Sequence, residues 1–482
     1  MPKLITEKNY NTILKNARRC KERGIILPTI KQQINPETIP ENLKQKLPDI
    51  GLSDINPLNL FRITWKNDIQ TGLFGRPNFF EIPSSLTGVP ARIIGMVGKY
   101  FPTGSHKVGA AYGCLIPRLV SGTFDPETQK AVWPSTGNYC RGGAFDCAML
   151  DSPAIAILPE KMSRERFDWL RQIGAEIYIT PGCESNVKEI YDLCAELHKD
   201  PHNVIFNQFE EFGNPFWHYH ITGNAIKDVW DWLKSEKSFL SGFVCAIGSA
   251  GTMGAGDFLK KHFPQIKITA AESLECPTML MNGFGAHRIE GVGDRQITWI
   301  HNVRNSDAVA AIHDEDCLRL FRLFNEPAGQ EFLIKEGIVE DVVQKLPLLG
   351  ISSIANLLAS IKLCKYFEFG KDNLVFTIFT DSAELYQSRL KELRVIKGKY
   401  TQRQAALDWE GPLKSQNIDH FLDLRYSDKK RIHNLKYYTW VEQRSKSDEE
   451  LINQWEPDYW KETFEDNLYE LDTAIEEFNA LL

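Results

Sequence analysis

The chain has 482 residues, 43% hydrophobic and 25% charged, which excludes disordered and fibrous classes and leaves room for two or three domains at roughly 150 residues each. A net charge of −7 argues against a nucleic-acid surface as the main function and leaves small anionic ligands open. Ten cysteines without a C-x-x-C pair exclude a zinc ribbon and a thioredoxin-type site, and no metal centre is expected.

The N-terminus lacks the continuous apolar segment of a signal peptide, and no later stretch offers roughly 18 uncharged apolar residues. The expectation is a cytoplasmic protein with no membrane or nucleic-acid partner. Residues 1–70 mix short polar helices with loops broken at Pro28, Pro36, Pro40, Pro48 and Pro57, and read as an N-terminal extension packed on a core. From about residue 91, apolar runs at 92–97, 130–133, 154–158, 176–180, 243–247, 267–272 and 374–379 alternate with amphipathic stretches. One of these stretches, 163–173, carries Phe167, Leu170 and Ile173 at helical spacing and ends before Gly174. Such alternation predicts an α/β fold of parallel sheets with helices on both faces, and ligands at the C-terminal ends of the strands. Beyond about 395 the chain becomes a polar tail rich in aromatics, including Trp409, Trp440, Trp455 and Trp460. Its last segment sets Phe464, Leu468, Leu471, Ile475, Phe478 and Leu482 on one helical stripe, to pack on the same chain or at a subunit interface.

Four loops carry chemistry. In the stretch from Pro102 to Ala110, Lys107 stands between a strand and a helix and is a candidate Schiff-base lysine, although a lysine alone is ordinarily a surface charge. After 130–133, Ser135, Thr136, Gly137, Asn138 and Tyr139 form a small-hydroxyl turn leading into a helix. Its backbone N–H groups suit a carboxylate, and Asn138 adds a donor able to reach a phenolic oxygen. The same residues are also plain turn chemistry. After 243–247, Gly248, Ser249, Ala250, Gly251 and Thr252 open a helix and suit a phosphate. A Walker A loop is excluded, because no lysine follows until Lys260. A dinucleotide fingerprint stays open through Glu272, although Ala250 and Met253 depart from it, and so does a purely structural glycine turn. After 374–379, Asp381 and Ser382 precede a helix, which by itself reads as an N-cap.

Taken in this order, the four segments resemble the pyridoxal-phosphate enzymes of the tryptophan synthase β-like group, called fold type II, and within it the cysteine synthase and cystathionine β-synthase branch. Gly75 to Pro83 looks like the family's opening segment, and the match runs to about residue 390. The resemblance implies two three-layer parallel-sheet subdomains with pyridoxal 5′-phosphate between them. The catalytic region would span 71–395, with a smaller subdomain at roughly 103–215, an N-terminal extension at 1–70 and a helical, aromatic-rich C-terminal extension at 396–482.

By the same resemblance Lys107 holds the cofactor as a Schiff base and Ser135 to Tyr139 grip the substrate carboxylate. Asn138 lies beside the cofactor's 3′ oxygen, Gly248 to Thr252 bind its phosphate, and Ser382 meets its pyridine nitrogen. Segments from Ile289 to Asp294 and from Leu349 to Ser353 line or support the site. Lys107-Val108-Gly109 departs from the Lys-Asp-Arg of cysteine synthases, and Ser105-His106-Lys107 is closer to the tryptophan synthase β pattern. A neutral hydroxyl at the pyridine nitrogen suits loss of a β-substituent and attack by a nucleophile. The implied activity is β-replacement on a serine-type amino acid with a thiol or sulfide acceptor, in a homodimer. β-Elimination, as in an ammonia-lyase or desulfhydrase, is the alternative. A nucleotide-dependent oxidoreductase and a non-catalytic cofactor-binding protein are readings of other classes. His106 beside Lys107 could assist proton transfer or point away from it, as adjacent residues on such a turn usually do; Glu272, Asp294 and Arg295 could line the site or merely form ion pairs; and Cys140 and Cys147 could be redox-sensitive or buried bystanders.

Overall fold

The computed structural model describes residues 2–293 and 295–482, so Asp294 lies outside the described residues. Eleven strands occur among them: β1 Phe79–Ile82, β2 Arg92–Val97, β3 Lys130–Pro134, β4 Ala154–Pro159, β5 Glu176–Thr180, β6 Asn203–Ile205, β7 Phe239–Ala246, β8 Lys267–Ser273, β9 Ala308–Ile312, β10 Asn373–Phe379 and β11 Phe421–Asp423. They form a seven-stranded sheet in the order β1-β2-β10-β7-β8-β9-β11 and a four-stranded sheet in the order β5-β4-β3-β6. The smaller sheet is parallel throughout. The larger one is parallel except at its edges, where β1 runs against β2 and β11 against β9. The segment 83–91 between β1 and β2 is shorter than the dozen or more residues a parallel crossover needs, which dictates the antiparallel edge.

Continuous apolar runs follow from burial on both faces. β10 is buried from Leu374 to Phe379, and the helix Ile351–Tyr366 packed on it and on β7 is buried from Ile351 to Cys364. The runs expected at 92–97 and 176–180 are β2 and β5, whereas β7 begins at Phe239, ahead of the expected 243. The helix expected at 163–173 spans Arg164–Gln172 and ends at Gly174, whose φ of 82° is left-handed.

The C-terminal extension is not wholly helical. β11 joins the larger sheet with Phe421 opposite Ala310. The helix Pro457–Asn479 turns Phe464, Leu471, Ile475 and Phe478 inward against the helices Tyr10–Glu22, Ile30–Ile34 and Lys107–Ser121, so the apolar stripe packs on its own chain. Asp472 accepts from the N–H groups of Ile30 and Lys31 at 2.7 and 3.2 Å, which caps the helix Ile30–Ile34. His220 Nε2 lies 2.8 Å from the carbonyl of Phe464. The buried amine of Lys436 donates to the carbonyls of Trp299 and His301 and to Gln454 Oε1, and Trp440 Nε1 donates to the carbonyl of Ile297. No single helix among the described residues is long and apolar enough to cross a membrane.

Candidate functional site

A cavity lies where the C-terminal ends of three strands meet. Ser135 and Thr136 reach it after β3, Gly248, Ser249 and Thr252 after β7, and Thr380 after β10. This is where open α/β sheets place their ligands. Lys107 opens the helix Lys107–Ser121, lines the cavity, and donates from Nζ to Ser249 Oγ at 3.4 Å. The fold therefore brings the candidate lysine to the candidate phosphate loop across 142 residues of sequence.

The loop from Gly248 to Thr252 fits a phosphate group. The N–H groups of Ser249, Ala250 and Thr252 have no acceptor among the described residues, and they precede the helix Met253–His262. Those donors and the helix dipole suit a dianion. Ala250 is held at φ 62°, a left-handed conformation that turns the loop back on itself. Asn214, fully buried, donates to Ser249 Oγ at 3.1 Å while its Oδ1 is unpartnered. Behind the loop, Thr252 Oγ1 lies 3.4 Å from His106 Nε2 and 3.5 Å from His218 Nε2. Burial and then the neighbouring Lys107 hold His106 well below the usual imidazole range. His106 stacks on Trp65 behind the loop and is not part of the cavity wall.

The turn after β3 fits a carboxylate. Ser135 Oγ accepts from the N–H of Gly137 at 2.9 Å, and the N–H groups of Thr136 and Asn138 have no acceptor among the described residues. Asn138 begins the helix Asn138–Met149 and lines the cavity, with its Nδ2 donating to Asp381 Oδ2 at 2.7 Å. Tyr139 is buried on the cavity wall with its ring against Trp133. Arg166 lines the same cavity, which nothing in its local sequence signals.

Ser382, expected at the pyridine nitrogen, stands apart from the cavity. It occupies the N-cap of the short turn Ala383–Tyr386 and is not part of the cavity wall, whereas Ser352 and Thr380 are. Residues 380, 381 and 382 leave β10 in different directions, so that Thr380 reaches the cavity, Asp381 meets Asn138 and Ser382 takes the N-cap position of the next turn. Ser352 opens the helix Ile351–Tyr366 beside Gly291, which also lines the cavity.

Glu272 accepts from the N–H groups of Met279 and Leu280 at 2.9 Å each, and burial pushes its carboxyl up to about 7. With both oxygens so engaged it caps a turn, and the dinucleotide reading loses its ribose-binding acid. Arg295 is exposed and away from the cavity wall. Cys140 and Cys147 are buried, and burial pushes both thiols up to about 12, which suits inert bystanders.

A cleft between two sheets, with a lysine amine at a loop that suits a phosphate and a turn that suits a carboxylate on the same cavity, has the layout of a fold type II enzyme. Comparison agrees: residues 99–331 match the pyridoxal-phosphate dependent enzyme family. The chain is 31% identical over 288 residues to a cysteine synthase of Staphylococcus aureus, covering 60% of this chain and 84% of that protein. It is 30% identical over 291 residues to a probable cysteine synthase of Bacillus subtilis, covering 60% and 85%. Its fold resembles a hydrogen sulfide-producing enzyme of Fusobacterium nucleatum, with a TM-score of 0.55, 24% identity, and coverage of 64% of this chain and 96% of that one. The chain belongs to the pyridoxal-phosphate dependent enzymes, in the cysteine synthase and cystathionine β-synthase branch, and pyridoxal 5′-phosphate is its cofactor.

Proposed function

We propose that the protein catalyses β-replacement on a serine-type amino acid, with sulfide or a thiol as the incoming nucleophile. The single observation that carries this reading is the convergence of Lys107, the 248–252 loop and the 135–138 turn on one cavity. Its cysteine synthase relatives support the choice of reaction. Pyridoxal phosphate, when bound, supplies the electron sink for chemistry at the α carbon.

In this reading the N–H groups of Ser249, Ala250 and Thr252 bind the phosphate, and those of Thr136 and Asn138 orient the substrate carboxylate. The second N–H of Asn138 Nδ2 would donate to the cofactor's 3′ oxygen. The Ser352 hydroxyl on the cavity wall would take the pyridine-nitrogen role expected of Ser382, as a partner without charge. Lys107 Nζ would hold the cofactor, and its amine would be the group that takes the substrate's α-proton and returns it. The β-substituent leaves with its bonding electron pair, and the nucleophile's pair forms the new bond to the β carbon.

The test is product analysis of the cofactor-loaded protein. O-Acetylserine, O-phosphoserine or serine, each with sulfide or a thiol, should give the thioether or cysteine product, and Lys107→Ala should give none. Pyruvate and ammonia in its place assign β-elimination. No turnover across the panel, with cofactor bound, overturns the enzymatic reading in favour of a binding protein. The same reading takes the working form as a cytoplasmic homodimer, and sedimentation at the monomer mass would overturn the dimer.

A further inference from the structure

We propose that Asp381 is a positioning residue that fixes the Asn138 amide as a donor to the cofactor and sets a negative charge one hydrogen bond away from it. This rests on the reading of Asn138 as the side chain beside the cofactor's 3′ oxygen. Asp381 is 0% exposed. Its Oδ2 accepts from Asn138 Nδ2 at 2.7 Å and from the Tyr386 hydroxyl at 2.8 Å, with Arg166 Nη2 at 3.5 Å. On its other side Asn138 Oδ1 faces Arg141 Nη1 at 3.5 Å, and that guanidinium lies 4.6 Å over the Trp169 ring.

The amide is therefore read from both ends. A half-turn would set Asn138 Oδ1 against the carboxylate of Asp381 and Nδ2 against the guanidinium of Arg141, two like-sign meetings. An amide has two N–H groups, so one bond to Asp381 leaves the second for the cofactor oxygen. Neutral hydroxyls at 381 would accept either orientation.

The carboxylate does not stand alone. Arg166 pairs with Glu290, which also accepts from Arg389 at 2.7 Å, and Arg166 Nη2 donates to the Tyr386 hydroxyl at 2.9 Å. The groups facing Asp381 are thus Asn138 and Arg141 from one helix, Arg166 from a second and Tyr386 from the turn, with Glu290 behind Arg166. Three donors on one buried oxygen keep Asp381 an acceptor although burial raises its carboxyl above the ordinary range. A fixed negative charge beside the cofactor favours its more protonated form.

The measurement is a pH titration of the visible absorption band of the cofactor-loaded protein. Asp381→Asn should lower the midpoint by roughly one pH unit, the scale of removing a neighbouring charge. Tyr386→Phe, which strips one of the donors that keep the carboxylate ionised, should lower it by a smaller amount. A merely structural role would change stability and leave both midpoints in place, and that result overturns the proposal. Should Asp381→Asn fail to fold, Tyr386→Phe decides alone, an unmoved midpoint overturning it. Asn138→Ala separates the two readings. If it moves the midpoint while Asp381→Asn does not, the role of Asp381 falls and that of Asn138 stands; if it also leaves the midpoint unmoved, the reading of Asn138 falls.

Discussion

Gly137 and Arg166 share one space: a Cβ on residue 137 would lie 2.3 Å from Arg166 Cδ and 2.4 Å from its Nε. Arg166 has no room to retreat, being 1% exposed and bonded to Ser163 Oγ, Glu290 and the Tyr386 hydroxyl. Gly137 also sits at φ 145°, where an L side chain is strained. Gly137→Ala should therefore cost about 2–4 kcal/mol of stability. It should also tilt the carboxylate turn, so urea unfolding and KM should change together, KM rising more than kcat falls.

The two serines at helix starts separate by site. Ser352 lines the cavity and Ser382 does not. Ser352→Ala should shift the visible band of the loaded protein and lower kcat roughly 10- to 100-fold, the worth of one hydrogen bond of about 1.5–3 kcal/mol to a charged or strongly polar partner. Ser382→Ala should leave band and rate within about twofold of the parent. The reverse outcome would return the pyridine-nitrogen role to Ser382.

Ala250 offers a gain. Its left-handed backbone, φ 62°, costs an L residue about 1–2 kcal/mol that glycine avoids. Glycine gives back about 0.4–1 kcal/mol in unfolded-chain entropy. Ala250→Gly should raise the unfolding free energy by roughly 0.5–1 kcal/mol. Because the phosphate contacts proposed for the loop are backbone N–H groups, cofactor affinity measured by fluorescence titration should stay unchanged.

His220 ties the catalytic body to the helix Pro457–Asn479 and carries a pH signature. Burial lowers its imidazole to about 4, against about 6.5 in the unfolded chain. Between those values the unfolded chain binds a proton that the native one refuses. Stability from this group is thus present above pH 6.5 and lost as pH falls towards 4, by on the order of 3 kcal/mol. Asp472, whose carboxyl burial raises to about 6, acts with the opposite sign. His220→Gln keeps a donor for the Phe464 carbonyl without titrating, so the difference between its urea-stability curve and the parent's isolates the histidine. A constant difference from pH 7 to pH 4 would refute the assignment.

Lys107, the 135–139 turn and the 248–252 loop were legible because each follows an apolar strand and opens a helix, so local sequence carries both position and chemistry. Ser352 and Ser382 present the same small-residue signal at a helix start, and only the crossing of chain segments tells which one meets the cavity. The network of Arg166, Glu290, Asp381 and Tyr386 had no local signature, because its members lie on separate elements and unite only through burial. Strands β6 and β11, three residues each, are too short to show a period, and alanines dilute β9. The aromatic tail was visible as composition, but its strand and its caps on distant loops depend on tertiary contact alone.

Phe209 lines the cavity, and its carbonyl accepts from the N–H of Trp299 at 3.0 Å. Trp299 is in turn held by Lys436 through its own carbonyl and by Glu450 through its indole N–H at 3.3 Å. Translation proceeds from the N-terminus, and chain segments fold in that order as they emerge. When Lys107, Asn138, Gly248 and Ser352 have all left the ribosome, the residues that brace this wall are still to be made. The catalytic cleft of this protein is thus finished only after synthesis has passed residue 450, and a nascent chain stalled before that point carries every reactive group without the buttress that holds them in register.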